Sequence, residues 1–461
     1  MFSLDDILEG TQGRLDPATG ALAMTGLGFS DVVTDSRGWL AGALFVALRG
    51  RFVDGHDFVL DAAGHGARGA VVRSDWRAPD VLPPDVALIR VDDPHEALRR
   101  LAAWWRGRLN AQFIAVAGTD GTGPTTQVLS SVLASRYSTL RPVDEPAGET
   151  GVLLTILRAS PDHDWIVLNL DAGLHPDRLA ELCQIAGPDI LVVTATERHQ
   201  PGVAVGAWLC ALPGINAVVL HREGPTQAEP TDAAARSVPE QARLITYGLQ
   251  AGCDIQATDI ESHGYEGVHF TLVYNPGQEQ WPVRLPLFGH YSVQSALAAA
   301  GAAHAAGMHW QEIVPALNRL DSLISLLVEP GYNGCTLIDD CYGSSPRSMI
   351  QALNLLQDMP GRHIAVLGGM LEDTGGARDE YLKVARRATV VAQRLVVLGS
   401  VGLLIGQEAL CVGMAPERVF FAADSEQGAQ YLRRIIKPGD YVLVQGQRAL
   451  RPDVIVQALR A

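Results

Sequence analysis

The sequence predicts an α/β protein of three consecutive parts, the second and third of them built on mostly parallel sheets. The chain has 461 residues, enough for about three domains at roughly 150 residues each. From residue 113 onward, short continuous apolar runs alternate with helical stretches, the pattern of strands buried on both faces. The stretch FIAVAGTDGTGPTTQVLSSVL, residues 113–133, passes from a buried strand through a glycine turn into a helix with Val128, Leu129, Val132 and Leu133 on one side. A strand, a glycine loop and a helix N-terminus in that order is how a protein cradles phosphate.

The first part, residues 1–110, reads as short strands and turns closing on a helix. ALFVALRG (43–50) is a strand, GHDFVLDAAGHGA (55–67) a helix with its C-cap, and RGAVV (68–72) a strand. DPHEALRRLAAWWRGRL (93–109) is an amphipathic helix with Asp93 as N-cap and Pro94 at N1. The second part, 111–319, carries the strands 113–117, 164–170, 188–196 and 215–221. A polar Pro/Ala loop (222–243) follows, then the alternating strands 266–274 and 281–287 and the alanine-rich helix SVQSALAAAGAAHAAG. The third part, 320–461, resumes the alternation with CTLIDD, HIAVLGG, RLVVLGS, RVFFA and YVLVQG. Sheets wound this way bind ligands at the carboxyl ends of their strands, so chemistry is expected there.

Composition narrows the function. Hydrophobic residues make up 47% and charged residues 19%, the balance of a folded globular chain. The formal net charge of −15 argues against a nucleic-acid partner, which needs clustered cations. Six cysteines lie scattered with no CxxC pair, as expected of reduced thiols in a cytoplasm. No signal peptide or membrane-spanning run is visible.

The segment VVTDSRGWLAGALFVALRGRFVDGHDFVLDAAGHGARGAVV (32–72) resembles the nucleotide-sugar-binding domain of the Mur ligase family, and most nearly its D-alanyl-D-alanine-adding branch. AVAGTDG, GVLLTILR, PDILVVT, LPLFGHYSVQSALAAAG, LIDDCYGSSPRSM, VLGGMLE and VLVQGQR continue the resemblance in order along nearly the whole chain. It implies three domains: a UDP-sugar-binding one, a central P-loop-type ATPase domain and a C-terminal Rossmann-like α/β domain. It also implies ATP- and Mg²⁺-dependent activation of a UDP-linked muramoyl-peptide carboxylate as an acyl phosphate, which an incoming amine attacks.

Against that pattern the site residues have changed. Phosphoryl transfer depends on positioning and on neutralising the phosphate oxygens. The family loop reads Gly-Thr-Asn-Gly-Lys-Thr-Thr. Here Gly118, Thr119 and Gly121 match, Asp120 replaces Asn, and Thr122 stands at the Lys; a shifted register puts Pro124 there instead. Asn169 occupies the place of a magnesium-binding Glu, with Asp171 two residues on and on the same side of an extended strand. Val205 stands where a lysine becomes carbamylated. Tyr291, Ser292 and Ser295 replace the His and two Asn on the adenine side. Asp339, Asp340, Tyr342 and Pro346 survive from an Asp-Asp-Ser-Tyr-Asn-Ala-Asn-Pro motif, Gln445-Gly446-Gln447 replaces Lys-Gly-Ser, and Arg448 is retained. Asp171, Asp339, Asp340 and Arg448 are thus vestigial catalytic candidates, and no metal site is expected. In the first part Asp35, Ser36, Arg37 and Arg49 remain as candidates for a UDP-sugar, with Arg51 as a further diphosphate partner.

Three functions compete. The first is a non-catalytic Mur-ligase-like pseudoenzyme that needs no cofactor and acts through a partner, either another copy or an intact Mur ligase. The second is a divergent, active ATP- and Mg²⁺-dependent amide ligase using Asp171 and a cation from elsewhere. The third is a module that keeps UDP-sugar binding only. Trp39, Trp104 and Trp105 are candidates for a contact surface, against core packing, the reading the amphipathic helix favours.

Overall fold

In the computed structural model the described residues are 2–16, 27–50, 53–77, 83, 86–118, 121–142, 148–171, 176–194, 214–222, 234–263, 267–287, 290–320, 327–341, 346–369, 377–447 and 450–460. Three main sheets follow one another along the chain. The first has β1 (Arg14–Leu15), β2 (Val32–Val33), β3 (Leu44–Val46), β4 (Gly69–Arg73) and β5 (Ala87–Val91) in the order β1-β5-β4-β3-β2. All its pairings are parallel except β1 with β5.

The helices of this part are α1 (Leu4–Thr11), α2 (Val59–Gly64) and α3 (Pro94–Arg106). Helix α3 starts as its sequence predicts, with the Asp93 side chain accepting from the His95 N–H and proline at the first turn. The strand expected over 43–50 ends at Val46. Beyond it, the Leu48 N–H donates to the Val46 carbonyl and Arg49 bridges Asp54, so the chain pairs locally rather than with the sheet. The helix expected over 55–67 is a 3₁₀ turn (Gly55–Phe58), capped by Asp54, running into the shorter α2.

The central sheet comprises β6 (Gln112–Gly118), β7 (Thr139–Leu140), β8 (Trp165–Asp171), β9 (Ile190–Val193), β10 (Ala217–His221), β11 (Arg243–Gly248), β12 (Ile255–Ser262), β13 (Val268–Tyr274) and β14 (Glu279–Leu285). Its order is β14-β13-β12-β11-β10-β9-β6-β8-β7. Helices α4 (Thr122–Ala134), α5 (Glu149–Arg158), α6 (Pro176–Ala186), α7 (His290–Ala305) and α8 (Trp310–Asn318) accompany it. Strands β6 and β8 are parallel neighbours with Gly118 opposite Asp171, so their carboxyl ends open side by side.

The third sheet, β15 (Leu327–Pro330), β16 (Thr336–Asp340), β17 (His363–Gly368), β18 (Arg394–Leu398), β19 (Val419–Ala422) and β20 (Tyr441–Gly446), has the order β15-β16-β20-β17-β18-β19, parallel apart from β15. Helices α9 (Pro346–Asp358), α10 (Ala377–Val391), α11 (Gly399–Cys411), α12 (Ser425–Ile435) and α13 (Pro452–Leu459) cover it. By compactness the chain divides into two units: residues 1–258 with 272–281 and 294–316, and residues 259–271 with 282–293 and 317–461.

Within the first unit the five-stranded sheet and the central sheet share one core, with Ile7, Leu101, Phe113 and Leu154 all fully or nearly fully buried in it. Burying one leucine of this kind contributes about 2 kcal/mol. Helix α5 is held at both ends: Glu149 pairs with Arg99 of α3, and Arg158 with Asp31 at 3.5 Å. This decides the two readings of the α3 tryptophans in favour of packing. Trp105 packs edge-on against Phe2 and donates to the Ala159 carbonyl at 2.8 Å, while Trp104 lies under the Arg108 guanidinium. Only Trp39, 84% exposed, is a surface tryptophan of the three.

Candidate functional site

The turn between β6 and α4 is built around Gly121, whose φ of 72° is a left-handed conformation that glycine adopts without strain. Helix α4 then begins without a side-chain cap and with no acidic residue in its first turn. Its Thr122 side chain is buried at 8% exposure, and Thr125 and Thr126 are more buried still. Within the helix the Thr126 hydroxyl donates to the Thr122 carbonyl and the Ser130 hydroxyl to the Thr126 carbonyl, each at 2.7 Å. Pro124 contributes no N–H. The helix dipole still favours an anion, but the described residues of the turn, Gly121 to Pro124, bring no cation to it. Thr119 and Asp120 lie outside the described residues.

On the neighbouring strand Asn169 stands opposite Val116. Its side-chain carbonyl oxygen is buried and has no hydrogen-bond partner among the described residues. Asp171 closes the same strand two residues on, in register with Gly118. Val205 lies outside the described residues, and no group of three or more metal-ligating side chains occurs among the described ones. Ser292 and Ser295 of α7 are buried.

In the second unit Asp339 and Asp340 end β16, with Asp340 opposite Gln445 of β20. Both carboxyls are buried. Asp339 accepts from the Cys341 N–H at 3.1 Å and lies 3.9 Å from Arg460. Burial, and then the Asp339 charge, push Asp340 up to about 8, so it carries its proton at neutral pH. Gln445 is fully buried. Tyr342 and Arg448 lie outside the described residues.

The nucleotide-sugar candidates of the first part are only partly brought together. Arg37 grips both oxygens of Asp35, at 2.9 and 2.7 Å, and its N–H donates to the same carboxylate. That hydrogen bonding holds Asp35 below the usual carboxylate range. The pair is open to solvent, whereas Ser36 is buried with its carbonyl 2.7 Å from His65 Nδ1. Arg49 sits on the next loop, exposed, its carbonyl 3.2 Å from His95 Nε2; Arg51 lies outside the described residues.

Two features were missed in the sequence. His56 is buried between Asp54, 2.6 Å from its Nδ1, and the Arg73 N–H, which donates to its Nε2 at 3.0 Å. The Asp-x-His spacing of VDGHDF was the available signal. The second is the lysine distribution: the chain has only Lys383 and Lys437, and none before them.

Three parallel-rich sheets in this order, with a glycine turn opening α4, place the chain among proteins of the Mur-ligase fold, and family models agree. The model described as "Mur ligase family, catalytic domain" matches residues 29–106, and "Mur ligase, glutamate ligase domain" matches 326–448. The chain belongs to the Mur ligase family, and its long matches are MurF-type. It is 28% identical to the UDP-N-acetylmuramoyl-tripeptide–D-alanyl-D-alanine ligase of Synechocystis, over 94% of this chain and 92% of that protein. It is also 28% identical to the enzyme of that name from Escherichia coli, over 96% and 97%. Its fold is similar to a crystal structure of MurF from Acinetobacter baumannii, with a TM-score of 0.77 at 22% identity, covering 99% of this chain and 98% of that one. Among the described residues no helix is long and apolar enough to cross a membrane.

Proposed function

We propose that this chain is a Mur-ligase-fold protein that does not carry out ATP-driven ligation and acts in the cytoplasm by binding a UDP-sugar or a protein partner. In this reading residues 1–110 hold the sugar nucleotide, 111–319 keep the shape of the ATPase domain, and 320–461 keep that of the C-terminal domain. The observation that carries it is Thr122, a short, neutral, buried side chain at the head of α4, in a chain with no lysine before Lys383. Neither the phosphate-binding lysine nor the carbamylated one has a counterpart in that part of the sequence, and an arginine guanidinium does not replace the second. Asn169 adds a neutral carbonyl where a metal-binding carboxylate belongs, so the residues present do not fit ATP–Mg²⁺.

The second reading, a divergent but active ligase, is favoured by the 28% identity maintained along the whole length of enzymes so named, and by Asp171 at the end of β8. Assay of phosphate release with a UDP-N-acetylmuramoyl-tripeptide, D-alanyl-D-alanine and ATP–Mg²⁺ separates the two. The proposal expects none above the enzyme-free background, and turnover that titrates with the protein would overturn it.

A further inference from the structure

In the first unit, far along the chain from the glycine turn, four side chains from three regions meet. His304 stands at the end of α7, Trp310 opens α8, Tyr274 ends β13 and Arg243 begins β11. The His304 and Trp310 rings stack at 4.9 Å and 18°, and the Tyr274 ring meets them at 5.1 and 5.0 Å. One guanidinium nitrogen of Arg243 lies 3.1 Å from the Tyr274 hydroxyl and 3.1 Å from His304 Nε2. The other ring nitrogen, Nδ1, lies 3.2 Å from the Met308 carbonyl.

A guanidinium only donates and a carbonyl only accepts. The tautomer is therefore set: Nδ1–H donates to Met308 and the Nε2 lone pair accepts from Arg243. A proton added to Nε2 would face a guanidinium N–H. The remaining charged neighbours divide, with His309 opposing a positive imidazole and Glu279 favouring one. Burial acts first and Arg243 adds to it, against the Met308 carbonyl, and together they hold His304 below the ordinary imidazole range.

We propose that Arg243 and His304 form an acid-released latch fastening the start of β11 and the end of β13 to the α7–α8 elbow. Protonation of His304 expels Arg243, which leaves Tyr274 with it. The elbow itself stays pinned elsewhere, by Arg136 on Glu312 at 2.5 Å and by the Tyr137 hydroxyl on the Ala306 carbonyl at 3.1 Å. Acid therefore loosens the start of β11 locally, while the Tyr274 ring keeps its contacts with His304 and Trp310.

The test is histidine-resolved NMR on the full chain from about pH 4.5 to 8, with Trp310 emission, isolated by difference from Trp310→Phe, as the second readout. His304 should titrate below the exposed histidines, and emission should fall at the same midpoint as the stacked imidazolium quenches the indole. Arg243→Met should raise that midpoint. Should that variant fold poorly, amide exchange at Leu244 and Ile245 serves instead. It should accelerate below the midpoint in the unsubstituted chain and stay flat in His304→Gln, whose amide still accepts from Arg243. A midpoint at the ordinary imidazole value, unmoved by Arg243→Met, or exchange that accelerates equally in His304→Gln, would overturn the latch.

Discussion

The carboxyl edges of the first two sheets carry opposite kinds of chemistry. Beyond β3 and β4 the polar groups are charged and matched: Asp54 holds His56, which receives the Arg73 N–H, and Arg73 turns to Asp75. Beyond β6 and on β8 the buried groups are neutral, with the Thr126 hydroxyl spent on the Thr122 carbonyl and the Asn169 side-chain carbonyl unmatched among the described residues. Both edges sit on strands with fully buried apolar cores. One scaffold can thus carry a charged edge and a neutral one on equally well packed strands, because packing and site chemistry are specified by different residues.

The contrast is broken most sharply at His56. His56→Ala leaves Asp54 and the Arg73 N–H without their buried partner and should cost about 2–3 kcal/mol, read as a lowered denaturant midpoint. Were the loss no larger than for an exposed residue, the first edge would be no better matched than the second.

Asp340 supplies a control from the second unit. Its folded-state pKa, at about 8, is raised above the ordinary carboxyl value. The folded chain is therefore unpenalised below about pH 4 and loses stability as pH rises toward 8, where the buried carboxylate must ionise. Asp340→Asn should abolish that slope and stabilise the chain at pH 8. A chain whose stability is flat between those pH values would show that the carboxyl is not held neutral.

At the second edge Asn169→Leu removes the buried, unmatched carbonyl and should be neutral or stabilising by up to about 1 kcal/mol. A marked loss would mean that the amide has a function its surroundings do not reveal. The smallest effect is expected at the open Asp35–Arg37 pair, where Arg37→Ala should change stability by less than about 0.5 kcal/mol. The same variant should weaken UDP-sugar affinity if this arginine meets the diphosphate, which calorimetry with a UDP-muramoyl ligand reads directly.

Much of the frame was legible. Runs such as FIAVAG and HIAVLG became parallel strands because nothing but a doubly covered sheet buries them, and Asp93-Pro94 announced α3 through its capping chemistry. What was not legible shares a cause. VALRG continued an apolar strand pattern, but the local bridge of Arg49 with Asp54 ended the sheet pairing at Val46. For Trp104 and Trp105 the sequence left surface and core both open, and the packing partners that decide it, such as Phe2 and Ala159, are not revealed by periodicity within α3. At the sites, the sequence showed which residue types stand at the motif positions, whereas the matching of His56 and the burial of Asp340 depend on neighbours distant in the chain.

Isothermal titration of the full chain with ATP–Mg²⁺ tests the central claim most directly. With Thr122 at the head of α4 and Asn169 on β8, no saturable heat is expected up to about millimolar nucleotide. Saturable binding with a micromolar dissociation constant would contradict it.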